Sequence, residues 1–581
     1  MRQKNYTPLK NKYLDMKNYK NNKLINIKNK AFIVASFFMA IAFLTSCNED
    51  PLDKAPLDSY TDTTTWNDLK LAEAFANNLY NILPTTQHNW NTRTNRSWAL
   101  STSCDEAYNK FDDYNSSTIN SGALTPDNAG DFDIWKPTYS IIQNCNIFLS
   151  KIDNVPGDAA WRNRLKGEVL FLRAYAYFKL TVDYGGVPII TVPFDLNSDF
   201  KVDRSTYDQS VDFITAELDK AADLLPLTTS SLGRITKGAA LAIKSRALLY
   251  AASPQWNTTN AVTKWQKASE AAKAVIDLNI YELYDKNYPD LFTTNNSEII
   301  CSRLSSKDPQ WSAFNGVEMF NSPSGFHGWA SFAPSQGLID AYGTADGKDI
   351  TDPTSTYDPQ KPYVNRDPRF YKNIVYDGRA YGKPEFCQDR YDVGSSNIAE
   401  FYEGGLDSPQ GWDTWNNSET RYTFRKYCDT TYNFNNDTQT NKAWIISRLG
   451  EIYLNYAEAQ FKLGNDGNAI QYLNKIRQRA GITVPLAGLS GTTLENKIRN
   501  ERQVELCLEG HRYYDVRRWK IADVTENKPL MGVIITKNSN GTKTYNYTKV
   551  QNRIFKPQHY LLPIPMDEIN RTNLLQNPGY N

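Results

Sequence analysis

The chain has 581 residues, with 65 Lys or Arg, 64 Asp or Glu and four His, and 40% of it is apolar, enough for a large core. The formal charge of +1 hides an uneven distribution: residues 1–30 hold nine of the basic residues and one acid, so the remainder carries a net −7 and has no electrostatic reason to seek nucleic acid. His88, His327, His511 and His559 lie far apart, no CxxC pair or HExxH is present, and no glycine-rich phosphate loop occurs, so no metal or cofactor is expected.

In chain order, the basic start leads into AFIVASFFMAIAFL at residues 31–44, 14 residues without a charge. A spanning helix needs about 20 apolar residues, whereas this length suits the apolar core of a cleaved signal. Leu44-Thr45-Ser46-Cys47 then puts small residues ahead of a cysteine. That order resembles a lipobox, where a lipoprotein is cleaved and its new N-terminal cysteine acylated. The acidic run Asn48-Glu49-Asp50 is similar to the signal that routes lipoproteins to the outer face of the outer membrane. Residues 1–46 therefore read as a lipoprotein signal peptide, Cys47 as the lipidation site and residues 47–60 as anchor and proline-rich tether. The ordinary alternative is a cleaved signal with a chance cysteine.

Apolar residues spaced by three and four predict a helix over residues 66–80, with Thr63–Thr65 as its N-cap. Residues 83–98 (LPTTQHNWNTRTNRSW) break the pattern and read as a loop. Helical faces resume over residues 135–149, 165–180, 207–225, 237–253 and 265–278, the third opened by the capping box Thr206-x-x-Gln209. Small alanines repeatedly face large aromatics, the pattern of stacked helical hairpins. Periodicity is lost over residues 279–442, which are rich in Gly, Pro, Asn, Asp and Trp and read as a function-bearing surface with short elements of its own. Helices return at 444–463, 468–480 and from a box at Thr492-x-x-Glu495 to about 508, and residues 532–536 and 542–550 predict a β-hairpin. Cys145 and Cys507 read as small buried residues, and the spacing of the cysteines names no disulfide.

Several blocks are similar to one family. Trp135-x-x-x-Tyr139-x-x-Ile142-x-x-x-Asn146, Gly167-Glu168 with Phe171-Leu172-Arg173-Ala174-Tyr175, and Tyr184-Gly185-Gly186-Val187-Pro188 resemble the N-terminal half of the SusD/RagB family. Asn365-Arg366-Asp367-Pro368-Arg369, Arg448-Leu449-x-Glu451-x-Tyr453-Leu454, Glu509-Gly510-His511-Arg512-Tyr513-Tyr514-Asp515 and Gln576-Asn577-Pro578-Gly579-Tyr580 resemble its later blocks, in family order. The resemblance implies a mainly α SusD-like superhelix of tetratricopeptide-like hairpins with a large loop-rich region and a few short strands. It implies one domain over residues 61–581, with its scaffold over about 61–280 and 442–525 and its binding face over about 281–441. It also implies an outer-membrane surface lipoprotein that captures a glycan and closes over a SusC-like TonB-dependent transporter. A peptide-binding RagB-like member is the alternative, and a surface hydrolase a distant third.

Glu501, Glu505 and Glu509 recur at intervals of four and could form a catalytic pair; an ion lattice with Arg499, Arg502, Arg512, Arg517 and Arg518 is the favoured reading. The charge-dense block 365–369 reads as scaffold, with arginines fixing loops through paired hydrogen bonds. The ligand site is expected where residues 83–98 meet residues 302–332. Trp90, Asn91, Arg93, Arg96 and Trp98 come from the first, and Trp311, Phe326 and Trp329 from the second, with Gly325 and Gly328 letting backbone approach a ligand. Rings stack on the C–H faces of sugars while planar amides and guanidinia meet hydroxyls. The alternative is that these rings pack loops onto the scaffold and the ligand sits near Trp412 and Trp415.

Changing Cys47 to Ala should move the chain from the membrane fraction to the soluble fraction of fractionated cells. Retention and normal processing of the variant would refute the lipobox reading.

Overall fold

The computed structural model describes residues 65–85, 97–112, 115–195, 201–304, 317–382, 396–411, 413–430 and 443–580. The elements below belong to the unit Trp66–Asn581; the signal segment, Cys47 and the tether lie outside the described residues.

Helix α1 (Leu69–Leu79) starts later than the periodicity suggests, because the Asp68 carboxylate accepts the Lys70 N–H and caps it. α2 (Trp135–Lys151) and α3 (Ala159–Tyr184) follow. α3 is buried on nearly every face from Leu165 to Phe178, as a helix at the centre of a stack must be. Then come α4 (Tyr207–Leu224), whose capping box forms both of its hydrogen bonds, α5 (Lys237–Ala252) and α6 (Val262–Ile276). Each packs on the next: α2 on α3, α3 on α4, α4 on α5, α5 on α6. Gly167 makes the α3–α4 approach possible, since a Cβ there would sit 3.0 Å from Leu224 and Leu225 side-chain atoms.

α6 next packs on α7 (Leu449–Lys462), although 172 residues separate them, and α7 packs on α8 (Asp466–Ala480) and α9 (Gly491–Glu505). The intervening segment leaves and re-enters the stack through one antiparallel strand pair. β2 (Ile299–Leu304) runs beside β6 (Ala443–Arg448) with Ile299 opposite Arg448 and Leu304 opposite Ala443. Within the insertion, β3 (Phe332–Pro334) pairs with β1 (Ala107–Asn109), and β4 (Ile374–Val375) with β5 (Thr423–Phe424). The chain later folds the helix Arg512–Arg518 and the hairpin β7 (Leu530–Lys537) and β8 (Lys543–Gln551), as its turn residues imply.

Two sequence readings are corrected. Residues 443–448 are strand rather than the start of a helix: Trp444, Ile445 and Ile446 are strand formers, and β2 supplies their hydrogen bonds. α9 is capped at Ser490, which places Thr492 inside the first turn, and no side chain caps that end. Cys104, Cys145, Cys301, Cys428 and Cys507 are buried free thiols.

The stack and the insertion are tied by buried ions. Arg448 meets Glu298 and Glu505 at 2.7 Å and Glu509 at 2.8 Å. Arg369 meets Asp367 at 2.8 Å, Glu501 at 2.5 Å and Glu505 at 3.0 Å. Arg479 bridges Glu298 and Glu505, Arg477 reaches Glu501 at 3.5 Å, and Lys426 holds Glu509 at 2.7 Å. The lattice exists, but with partners other than those the sequence suggested. Arg499 pairs with Glu495, Arg502 and Arg518 with Asp515, Arg512 with Asp105, and Arg517 with backbone carbonyls. Helix spacing shows neighbours on one helix, while these partners come from distant segments. Glu509 also lies beyond the end of α9 rather than on its face.

Burial alone would raise the Glu509 carboxyl, but Arg448 and Lys426 outweigh it and hold the group down to about 2. Glu505 is likewise held well below the carboxylate range against its burial, by Arg479, Arg448 and Arg369. Folded values below the unfolded one (about 4.3) stabilise the fold above that value and lose the contribution as pH falls toward the folded value. The difference in urea stability between the parent and Arg448→Met should therefore be level above about pH 5 and shrink steadily toward pH 2. Arg448→Met should cost about 3–5 kcal/mol at pH 7, because it leaves three buried carboxylates undercompensated.

Candidate functional site

The pairing of β1 with β3 decides which rings meet on the inserted face. Tyr108 lies opposite Ala333 and Asn109 opposite Phe332, and the Lys110 N–H donates to the Ser331 carbonyl at 3.1 Å. This register carries Phe111 to the Trp329 ring, edge to face at 6.5 Å between centroids. Trp415 stacks on Phe111 at 5.8 Å and 22°. Trp415 is held out by its own turn, in which Asp413 Oδ1 accepts the N–H groups of Trp415 and Asn416, both at 2.9 Å. The result is a side chain 71% exposed with one face on Phe111 and the other toward solvent. Beside it, Lys110 Nζ donates to Asn417 Oδ1 at 2.8 Å and pairs with Glu419 at 3.2 Å.

Of the sequence-predicted residues, Trp90, Asn91, Arg93, Arg96 and Trp311 lie outside the described residues, as does Trp412. Phe326 and Trp329 are half-buried on the inserted face: Phe326 abuts Tyr381 at 5.1 Å and Trp329 sits between Phe320 and Phe111. Trp98 is a correction. It lies on a short helix, Ser97–Thr102, and is 2% exposed. Its ring stacks on Phe332 at 5.8 Å and meets the edges of Tyr427 and Trp444, so no face is left for a ligand. The glycines also serve the turn rather than a ligand. The Gly325 N–H donates to Asp407 at 2.6 Å, and a Cβ on Gly328 would lie 2.2 Å from the Ser322 carbonyl oxygen. Phe111 was missed, because a three-residue strand pair joining positions 107 and 334 leaves no sequence periodicity.

The acids that tempt as a catalytic pair are committed elsewhere. Glu501 and Glu505 are buried, and each is bound by arginine. His559 Nδ1 accepts the Lys556 N–H at 3.1 Å, and burial with nearby Arg517 brings the ring down to about 4. Burial, with Arg246 and Arg502, likewise keeps His511 well below its ordinary value. A cavity of about 800 Å³ opens elsewhere, lined by Trp135, Tyr139, Pro188, Phe194 and Leu574 among others. Its inner polar groups are already used: Tyr139 donates to the Pro188 carbonyl at 2.8 Å, and the Gln143 amide exchanges hydrogen bonds with the Phe194 backbone.

A continuous stack of helices that carries a long inserted face of loops and rings defines the class: a helical-repeat scaffold with its working surface grafted between two of its helices. Within that class the chain belongs to the SusD/RagB family. The SusD family matches residues 297–580, and a family described as starch-binding and associating with the outer membrane matches residues 50–249. A SusD-like protein of Bacteroides fragilis of known crystal structure is 31% identical, with a TM-score of 0.75 over 91% of this chain and 100% of that one. A second B. fragilis structure, a SusD-like carbohydrate binding protein, has a TM-score of 0.70 at 23% identity, over 87% of this chain and 99% of that one. SusD-like protein P25 of Formosa agariphila is 27% identical over 486 residues, 77% of this chain and 79% of its own length.

The two tryptophans should part company in denaturation experiments. Trp98→Ala should lower stability by about 3–5 kcal/mol, as removal of a buried ring does. Trp415→Ala should stay within about 0.5 kcal/mol of the parent, as exposed positions do.

Proposed function

We propose that this chain is a non-catalytic, lipid-anchored protein of the outer-membrane surface that binds a glycan and delivers it to a SusC-like TonB-dependent transporter. The observation that carries the reading is the exposed Trp415 stacked on Phe111 with Trp329 at its edge. An indole with one face supported and the other open suits the C–H face of a sugar ring, and the Lys110–Glu419 pair, next to Phe111 and four residues on from Trp415 in the chain, offers charged groups to hydroxyls. The face lies within the inserted segment and the strand that pairs with it, and Phe326 and Trp329 stay in the set. Relatives named for carbohydrate binding, and a family description that joins starch binding with the outer membrane, support the same reading.

Calorimetry against a glycan panel tests the claim. A bound glycan should lose about 2 kcal/mol of affinity, roughly thirtyfold, on Trp415→Ala, with the melt unchanged. Prolonged incubation should leave reducing ends unchanged, and gentle detergent extraction should recover a large β-barrel with the chain. Binding of peptides but no glycan, or steady release of new reducing ends, would overturn it.

A further inference from the structure

Arginines in this structure mostly meet carboxylates. Arg173, Arg246, Arg369, Arg448, Arg512 and Arg518 each do so. Arg379 and Arg425 form an exception. The β4–β5 pair sets Arg425 beside the C-terminal end of the short helix Pro368–Asn373, and the chain turns just after β4 to bring Arg379 to the same end. Arg379 Nη1 donates to the Tyr371 carbonyl. Arg425 Nη1 donates to the Lys372 carbonyl at 3.5 Å, and its Nη2 to Thr430 Oγ1 at 3.3 Å. No carboxylate pairs with either guanidinium among the described residues. Arg379 Nε is buried and has no acceptor. Burial, with the repelling charge of Arg425, brings Arg379 down to about 10.

Among the described residues, two neighbouring cations held by neutral oxygens leave most of a positive charge uncompensated. A guanidinium carries five donors, of which the carbonyls here take few. Both side chains are half-buried, so they are positioned yet reachable from solvent. The Arg379 guanidinium lies over the Tyr376 ring at 5.9 Å. Tyr381, two residues further along, abuts Phe326 on the inserted face. Planar forks of this kind match the oxygen spacing of carboxylates and sulfates.

We propose that Arg379 and Arg425 form an oxyanion-binding subsite that takes the acidic group of a charged saccharide, a uronate carboxylate or a sulfate ester. The inference rests on the glycan-binding reading above and narrows it to acidic glycans.

The test uses the full chain in detergent with four probes: a galacturonate tetrasaccharide, a sulfated galactose tetrasaccharide, the neutral galactose tetrasaccharide, and sodium sulfate against sodium chloride at equal ionic strength. At least one charged tetrasaccharide should bind tenfold or more tightly than the neutral one, and which one does so separates uronate from sulfate ester. Arg379→Gln/Arg425→Gln should abolish that preference and leave neutral binding unchanged, while Arg379→Lys/Arg425→Lys should keep part of it. Sulfate should raise the melting temperature of the parent by a few degrees and leave the Gln variant unmoved. Equal affinity for charged and neutral probes, or a preference that survives in the Gln variant, would overturn the subsite alone. A lower melt in the Gln variant with no sulfate effect in the parent would show the arginines to be helix-end supports and would also overturn it. If no saccharide binds at all, the broader glycan reading fails, and the sulfate-dependent melt still decides the subsite.

Discussion

The contact on which the rest depends is Arg448 with its three carboxylates. Glu298 comes from the edge of β2, Glu505 from the end of α9 and Glu509 from the turn beyond it, while Arg448 itself ends β6 and stands at the N-terminus of α7. One guanidinium therefore fixes the stem of the insertion, the start of a scaffold helix and the end of another. Arg369 and Arg479 extend the arrangement through the shared Glu505, so that Glu298, Glu501, Glu505 and Glu509 each face more than one cation. Buried charges are costly to desolvate, and their value lies in specificity: an alternative strand register would leave several of them unpaired.

Burial separates the tryptophans into two kinds of work. Trp98, Trp444, Tyr427 and Phe332 pack ring on ring beneath the insertion and form its floor. Trp415, Phe111 and Trp329 continue the same aromatic chemistry outward until one indole is left facing water. A rigid floor under a stacked surface ring keeps that ring from turning inward.

The helical stack was legible because its outer helices bury one stripe, which three-and-four spacing reports directly, and because α3, at the centre, is apolar or aromatic on several faces. Its ends were legible where a complete capping box closes them, as Thr206 and Gln209 do, and misread at Asp68, where one carboxylate caps the helix later than the periodicity suggests, and at Ser490, where no side chain caps it. The block 365–369 was read as scaffold, and Arg369 at the centre of the lattice agrees. Its partners were not legible, since no spacing rule connects position 369 with 501 or 448 with 298. The same limit applies to the site. Trp98 and Trp415 both stand in polar sequence without helical periodicity, yet the first lies buried on a short helix and the second stands exposed on the turn closed by Asp413.

The direct packing of α6 on α7 has a consequence for how such a molecule can diversify. The 172 residues between them form a loop whose two ends the scaffold already holds together. Closing a loop grows more costly only with the logarithm of its length, about 0.6 kcal/mol for each doubling. Lengthening or trimming the inserted face by tens of residues thus hardly taxes the assembly of the helices, provided the β2–β6 stem and its arginine are kept. Descendants of one such gene could exchange whole recognition surfaces while inheriting the frame unchanged.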